Sequence, residues 1–212
     1  MSAIMANREN KLKVQFDAIW NDILNTQQKE YYSKMSVKGL VELKKAVSNI
    51  NNILTLKTTI AFVDFLSNQG IVSKDEACKI KDKIQKRNAN ANGYDVDYTI
   101  EGSGLQIIAE VKCNIPINEN SFSTSQINAI IKDLNGLQSG KGKISEKETT
   151  DCLRFMVFLN TGDDVHKAVA KLQKKDDMPD FQIWDENIGC KISKGKTYAV
   201  FIELNSAERT ID

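Results

Sequence analysis

Apolar residues recur at helical spacing through the first third of the chain. The pattern predicts an amphipathic helix over residues 11–26, a second helix that begins at Ser36 and ends near Ile50, and a third, more apolar helix over residues 56–66. Because the third helix is apolar on most of its sides, we expect it to be buried against a sheet.

Strand patterns follow, separated by helical ones. Residues 93–100 and 105–112 are rich in β-branched and aromatic side chains, and the Gly-Ser-Gly turn between them predicts a β-hairpin. Residues 153–159 are apolar throughout, as is typical of a central strand covered on both faces, and residues 197–204 predict the last strand. Helical patterns between these strands indicate an α/β fold with a mixed central sheet flanked by helices.

The composition is sufficient for one substantial core with a helical extension. The chain has 212 residues, of which 41% are hydrophobic, and we assign residues 1–54 to an N-terminal helical region packed on the core and residues 55–212 to the core itself. No window approaches 18 consecutive apolar residues, and residues 1–13 are polar, so we expect no membrane partner and a cytoplasmic protein.

Charge and cysteine usage exclude some classes of site. The net charge is +1, which gives no global indication of nucleic-acid binding but does not exclude it. The four cysteines have no C-x-x-C spacing, which argues against a zinc ribbon and a secreted disulfide scaffold. We expect buried thiols at all four positions: Cys78, Cys113, Cys152 and Cys190.

The predicted hairpin carries charged residues at alternating positions. Side chains alternate between the two faces of a strand, so Asp95 and Asp97 share one face, as do Glu110 and Lys112 on the second strand. If the register sets those faces together, carboxylates and one ammonium converge. Hard oxygen ligands of this kind suit Mg²⁺. The alternative is an ordinary cross-strand ion pair on a solvated face.

Asp97, a turn, and then Glu110-Val111-Lys112 on an apolar strand resemble the PD-(D/E)XK nuclease superfamily, over roughly residues 55–205. The resemblance implies a restriction-endonuclease-like fold and a Mg²⁺-dependent deoxyribonuclease, with Mn²⁺ able to substitute. It implies that Asp97 and Glu110 bind the metal together with the Val111 carbonyl. Lys112 would act on the attacking water.

The resemblance departs from the family pattern at the first acidic position. No proline precedes the aspartate, and two aspartates compete for the role. We favour Asp97, because the superfamily often shows an acidic residue, an apolar residue and then the metal-binding Asp, which makes Asp95 the auxiliary acid. The predicted helix after residue 123 carries Gln126, where the superfamily often has a polar site residue; a solvent-facing Gln126 is equally compatible with the pattern.

Two further features limit the chemistry. The glycines and lysines of residues 139–143 follow a helix, so they do not match a nucleotide P-loop; we expect a lysine-bearing loop that could contact the DNA backbone. The chain contains one histidine, His166, which excludes a ββα-metal nuclease, since that class needs His as its base.

The functional prediction is a type II restriction endonuclease. Such subunits generally pair so that each cuts one strand of a two-fold site, which predicts a homodimer with DNA as its partner and a cognate DNA methyltransferase encoded nearby. The alternative is a restriction-like fold used for DNA binding or assembly without catalysis. The neutral net charge and the few aromatic residues favour that alternative.

Overall fold

The computed structural model describes residues 3–25, 30–87, 92–117, 120–141, 144–185 and 192–204. Contacts within the chain divide it into two compact units, Met1–Ile50 and Asn51–Asp212. The sequence-based boundary lies four residues further along, between residues 54 and 55.

The first unit contains α1 (Ala3–Leu24), α2 (Tyr31–Lys34) and the beginning of α3 (Val37–Asn68). Aromatic rings join α1 to α2, with the Phe16 and Tyr32 ring centroids 5.9 Å apart. Ser36 precedes α3, and its Oγ accepts a hydrogen bond from the Gly39 amide at 3.1 Å. This bond supports the predicted role of Ser36 at the start of the helix.

The prediction of two separate helices between Ser36 and residue 66 is wrong, because α3 is continuous from Val37 to Asn68. Residues 51–55, where we expected the break, contain neither glycine nor proline and therefore offer no reason for the helix to end. The buried residues of α3 lie in its second half, as expected for the more apolar segment: Thr58, Thr59, Phe62, Val63 and Leu66.

The second unit alternates helices and strands around one sheet. The order β1-β2-β5-β7-β6 is mixed, since β1 and β2 are antiparallel whereas the other neighbouring pairs are parallel. A separate two-stranded sheet joins β3 and β4. The elements after α3 are α4 (Lys74–Gln85), β1 (Val96–Thr99), β2 (Gln106–Lys112), α5 (Thr124–Ser139), β3 (Gly140–Lys141), β4 (Ile144–Ser145), α6 (Glu146–Thr149), β5 (Leu153–Leu159), α7 (Asp163–Gln173), β6 (Gln182–Ile183) and β7 (Thr197–Ile202).

Two apolar cores cover the faces of the five-stranded sheet. One contains buried residues of α3 and α4 together with Phe155 of β5, whereas the other contains those of α5 and α7 together with Met156. All seven residues of β5 are buried, which confirms the prediction of a central strand. The chain is therefore a mixed α/β protein with helices on both faces of its sheet, as predicted.

The described residues also test two simpler expectations. No helix in the described part of the chain is both long enough and apolar enough to cross a membrane. The expectation of buried thiols is correct for Cys152 and wrong for Cys78, which is exposed; Cys113 is partly buried. Cys190 lies outside the described residues.

Candidate active site

The second strand of the hairpin presents two different faces. Ile107, Ala109 and Val111 point into one apolar core, because alternate residues of a strand face the same side. The other face carries Glu110 and Lys112, and Glu110 is only 4% exposed. A buried carboxyl group in an apolar strand requires polar partners, so its neighbours define the site.

Asp95 is the aspartate that the structure brings beside this strand. Its Oδ2 accepts a hydrogen bond of 2.7 Å from the backbone amide of Val111. In the hairpin register Val96 pairs with Ala109, so one further step sets Asp95 opposite Glu110. Burial raises the pKa of Asp95; the Val111 amide and the positive charge of Lys112 act in the opposite direction.

Asp97 does not join this group. It pairs with Ile108, two residues along the strand from Glu110, and its Oδ1 accepts a hydrogen bond of 2.9 Å from Gln106 Nε2. Its backbone carbonyl accepts a bond of 2.7 Å from Lys83 Nζ. The structure therefore sets Asp95, rather than the favoured Asp97, next to Glu110. The roles of the two acids at a metal stay a prediction.

Asp133 of α5 is a site residue that the sequence reasoning missed. Its carboxylate forms an ion pair with the Lys112 ammonium, and the two side chains are only 14% and 15% exposed. A signal was present in the sequence: Asp133 stands three residues after Ile130 and four before Leu137, within the apolar stripe of the helix. An acid at such a position needs a buried cation, and Lys112 supplies it.

Lys141 completes the cluster from the short β3 strand. Its Nζ lies 2.6 Å from Glu110 Oε1 and 3.7 Å from Asp133 Oδ1. Burial lowers the pKa of Lys141, but the hydrogen bond and charge of Glu110 outweigh burial and raise it. The expectation that this lysine lies in a loop facing DNA is corrected, because its side chain reaches the acidic cluster; Lys143 lies outside the described residues.

Glu110 carries the largest shift among the acids of this cluster. Burial raises the pKa of Glu110 to about 7, and the negative charges of Asp133 and Asp95 contribute to the rise against the opposing effect of Lys141. Three carboxylates and two ammonium groups thus form the acidic cluster, which we define as Asp95, Glu110, Lys112, Asp133 and Lys141. A proton or a cation at Glu110 relieves the repulsion among its acids.

Gln126 lies close to Lys112, but both ends of its side-chain amide form hydrogen bonds with backbone groups. Its Oε1 accepts a bond of 2.8 Å from the Ser123 amide, which with the Ser123 side chain forms a capping box at the start of α5. Its Nε2 donates to the Ile115 carbonyl at 3.1 Å. Gln126 nevertheless lines an open cavity of about 470 Å³ together with Val111 and Lys112, beside which a substrate could bind.

The donor set is of the kind that suits a hard divalent cation. In the described residues no three His, Cys, Asp or Glu side chains are arranged as metal ligands as they stand. Mg²⁺, however, is commonly held by one or two carboxylates, with water completing its shell. Asp95 and Glu110 are two carboxylates on neighbouring chain segments, and the backbone carbonyl of Val111 follows Glu110.

No protein-family model, curated protein or solved structure matches this chain in the comparisons made. The acidic cluster is therefore the feature of the chain that bears on its function.

Proposed function

We propose that this chain is a divalent-metal-dependent deoxyribonuclease with a restriction-endonuclease-like fold, most specifically a type II restriction endonuclease. The observation that carries the proposal is the bond from the Val111 amide to Asp95, which holds one acid against the Glu110-Val111-Lys112 segment of the next strand. Asp95, the residue before β1, would thus take the place of Asp97 beside Glu110 and Lys112 of β2 in the arrangement that the superfamily resemblance implies.

Four of the five residues of the acidic cluster take roles in catalysis that their positions support. Asp95 and Glu110, with the Val111 carbonyl, would hold Mg²⁺ or Mn²⁺. The bound ion would supply a Lewis acid that activates water and offsets the charge that develops on the phosphate. Lys112 would orient the attacking water and stabilise the same charge. Asp133 is a positioning residue, because it contacts the Lys112 ammonium.

A second candidate function is DNA binding or assembly without catalysis. One observation favours it: Lys141 already neutralises Glu110 at 2.6 Å, as in a structural ion-pair network. The two candidates differ in what the network does when a divalent cation is added. In a nuclease Glu110 would exchange Lys141 for the added cation, whereas in a scaffold the ion pair between Lys141 and Glu110 would persist.

The restriction role adds two partners. A subunit with one acidic cluster cuts one strand, so a two-fold DNA site requires a homodimer. A restriction enzyme also requires protection of the host DNA, which makes a cognate DNA methyltransferase encoded nearby part of the proposal.

Cleavage of supercoiled plasmid with Mg²⁺ or Mn²⁺ tests the assignment. We expect Asp95→Asn and Glu110→Gln each to lower the cleavage rate by at least about 100-fold, because each removes a ligand that acts on the transition state. Asp97→Asn is the matched control on the same strand face, with an expected change of a few fold.

Thermal unfolding of each variant separates lost activity from lost structure. Strong loss in Asp97→Asn together with near-normal Asp95→Asn would overturn the assignment of the acids. A wild-type chain that binds DNA and cleaves none with either metal would favour the second candidate.

A further inference from the structure

Arg154 is a charged residue within the most apolar strand of the sheet. It is the second residue of β5, all of whose residues are buried, and it is only 8% exposed. Within the described parts of the chain its Nε has no hydrogen-bond partner, and no carboxylate forms an ion pair with its guanidinium. A buried arginine with an unpaired Nε and no ion pair is unfavourable unless something supplies negative charge.

Thr197 repeats this feature on the neighbouring strand. It is the direct partner of Arg154 in the parallel pairing of β5 and β7, so the two side chains share a sheet face. Thr197 is 3% exposed, and its Oγ1 is likewise buried without a partner among the described residues. Buried polar groups are almost always hydrogen-bonded, so two adjacent exceptions indicate that a partner other than the described residues binds here.

Both residues line one cavity of about 470 Å³, together with the exposed Lys196. Asp180 also lines the cavity, but it forms no ion pair with Arg154 among the described residues. Burial lowers the pKa of Arg154. The groups that act to raise this pKa are the Cys152 thiol and the Tyr94 hydroxyl, not a carboxylate. The cavity therefore offers two cations and a hydroxyl, set against one carboxylate, to an anionic group.

This cavity is distinct from the acidic cluster. Its lining contains no residue of that cluster. Glu110 pairs with Met156, two residues beyond Arg154 along β5, and Lys112 lies further in the same direction. A ligand in the cavity would thus lie nearer the amino-terminal ends of the parallel strands than the site that we assign to phosphodiester hydrolysis.

We propose that the cavity binds a phosphate group, with the Arg154 guanidinium and the Thr197 hydroxyl donating to its oxygens and Lys196 approaching from the rim. Arg suits this role because its fixed fork of donors matches phosphate geometry. The volume exceeds that needed for an inorganic ion and lies within the range of small-molecule sites. The phosphate can therefore belong to inorganic phosphate, to a nucleotide or to a phosphorylated DNA end.

Isothermal titration calorimetry of the full chain in EDTA tests the proposal, because metal removal prevents phosphate from binding through a cation at the acidic cluster. The probes are inorganic phosphate, dAMP, and one short oligonucleotide prepared with and without a 5′-phosphate. We expect at least one phosphate-bearing probe to bind. If dAMP binds more tightly than inorganic phosphate, the cavity is a nucleotide site. If only the phosphorylated oligonucleotide binds, the cavity binds a phosphorylated DNA end.

Variants locate the site. Thr197→Val and Lys196→Gln should each weaken binding by about tenfold, and Arg154→Met should abolish it. Lys194→Gln is the matched control, since Lys194 is also exposed and does not line the cavity. Lys112→Met tests for binding at the acidic cluster: its affinity for inorganic phosphate and dAMP in EDTA should stay within a few fold of that of wild type.

Several outcomes would overturn the proposal. One is the absence of binding for every probe. Another is unchanged affinity in both Thr197→Val and Lys196→Gln, which decide the matter even if Arg154→Met does not fold. Equal weakening in Lys194→Gln would mean non-specific attraction, and loss in Lys112→Met would mean that phosphate binds the acidic cluster. None of these results depends on whether the chain cleaves DNA.

Discussion

Glu110 is held out of water between two other carboxylates, and this determines when it carries a charge. Its pKa is raised from 4.5 to about 7, first by burial and then by Asp133 and Asp95. Between those two values the folded chain binds more protons than the unfolded chain. Glu110 therefore contributes stability that is fully present below about pH 4.5 and is lost as the pH rises through about 7.

The first prediction concerns this pH dependence. The pKa difference corresponds to about 3 kcal/mol. In EDTA the wild type should lose about that much stability from Glu110 between about pH 5 and pH 8, whereas Glu110→Gln has no such group to titrate. The free energy of unfolding of Glu110→Gln, relative to wild type, should therefore rise by about the same amount. Urea unfolding at both values measures it. Glu101→Gln is the control, because the Glu101 side chain is 68% exposed; a difference independent of pH in Glu110→Gln would contradict the burial argument.

Substitution of Lys112 distinguishes a catalytic role of this residue from a purely structural one. If the ammonium acts on the transition state, Lys112→Met should lower the cleavage rate by about 100-fold or more while DNA affinity, measured without divalent metal, changes by only a few fold. Asp133→Asn should give a smaller loss, because it leaves the ammonium in place and removes only its partner. Cleavage of Lys112→Met within a few fold of wild type would restrict Lys112 to an ion-pair role.

The residues of the acidic cluster were only partly predictable from the sequence. Glu110 and Lys112 follow from strand alternation, because period two sets them on one face. The choice between Asp95 and Asp97 does not, since both share that face and only the hairpin register decides which lies opposite Glu110. Lys141 is the least predictable, because a side chain reaching across from another element leaves no periodic signal.

At the level of elements, α5 is held to the site by its first turn. The reciprocal bonds between Ser123 and Gln126 cap the helix, and Gln126 also binds the Ile115 carbonyl in the segment that follows β2. The helix that carries Asp133 is thus fixed to the strand that carries Lys112. Gln126 accordingly supports the geometry of the site whether or not it contacts substrate.

A pair of substitutions tests Gln126. Gln126→Ala removes both bonds and should lower the free energy of unfolding by about 1 kcal/mol. Gln126→Glu retains an acceptor for the Ser123 amide and should lose less stability. If Gln126 only supports the helix, both variants cleave within a few fold of wild type at a temperature where they are folded; a loss of about 100-fold in a fully folded variant would give Gln126 a catalytic role.

Elements with strong local signals agree with the sequence-based prediction, and those set by tertiary context do not. The hairpin and β5 were predicted, because Gly-rich turn chemistry and a continuous apolar run are local. The sequence predicts two helices where α3 is continuous, because its first half is exposed and its second half is buried. The pattern of apolar residues changes between the halves although the helix does not end. Strand β6 has only two residues, Gln182–Ile183, which is too short for an alternating pattern, and it is defined by its pairing with β7.

At the level of the whole molecule, the proposed restriction role requires two copies of the chain, and the first unit exposes apolar side chains on two helices. Several large apolar residues of α1 and α3 within Met1–Ile50 are at least 48% exposed: Ile19, Ile23, Val41 and Val47. Exposed apolar residues mark protein interfaces when they form a contiguous patch. If the chain pairs as proposed, we expect a second copy to bury such residues symmetrically.

The dimer prediction is tested by the mass in solution. Light scattering after size exclusion should give twice the chain mass of 23.8 kDa. The double substitution Ile23→Glu with Val47→Glu should shift the mass to that of one chain, because charges at an apolar interface must be desolvated without partners, while an exposed position in the monomer tolerates them. Lys45→Glu is the matched control on α3, since its side chain is 66% exposed. The monomeric variant should still nick one strand of plasmid but produce few double-strand breaks; a wild-type mass of one chain with efficient double-strand cleavage would contradict the paired arrangement.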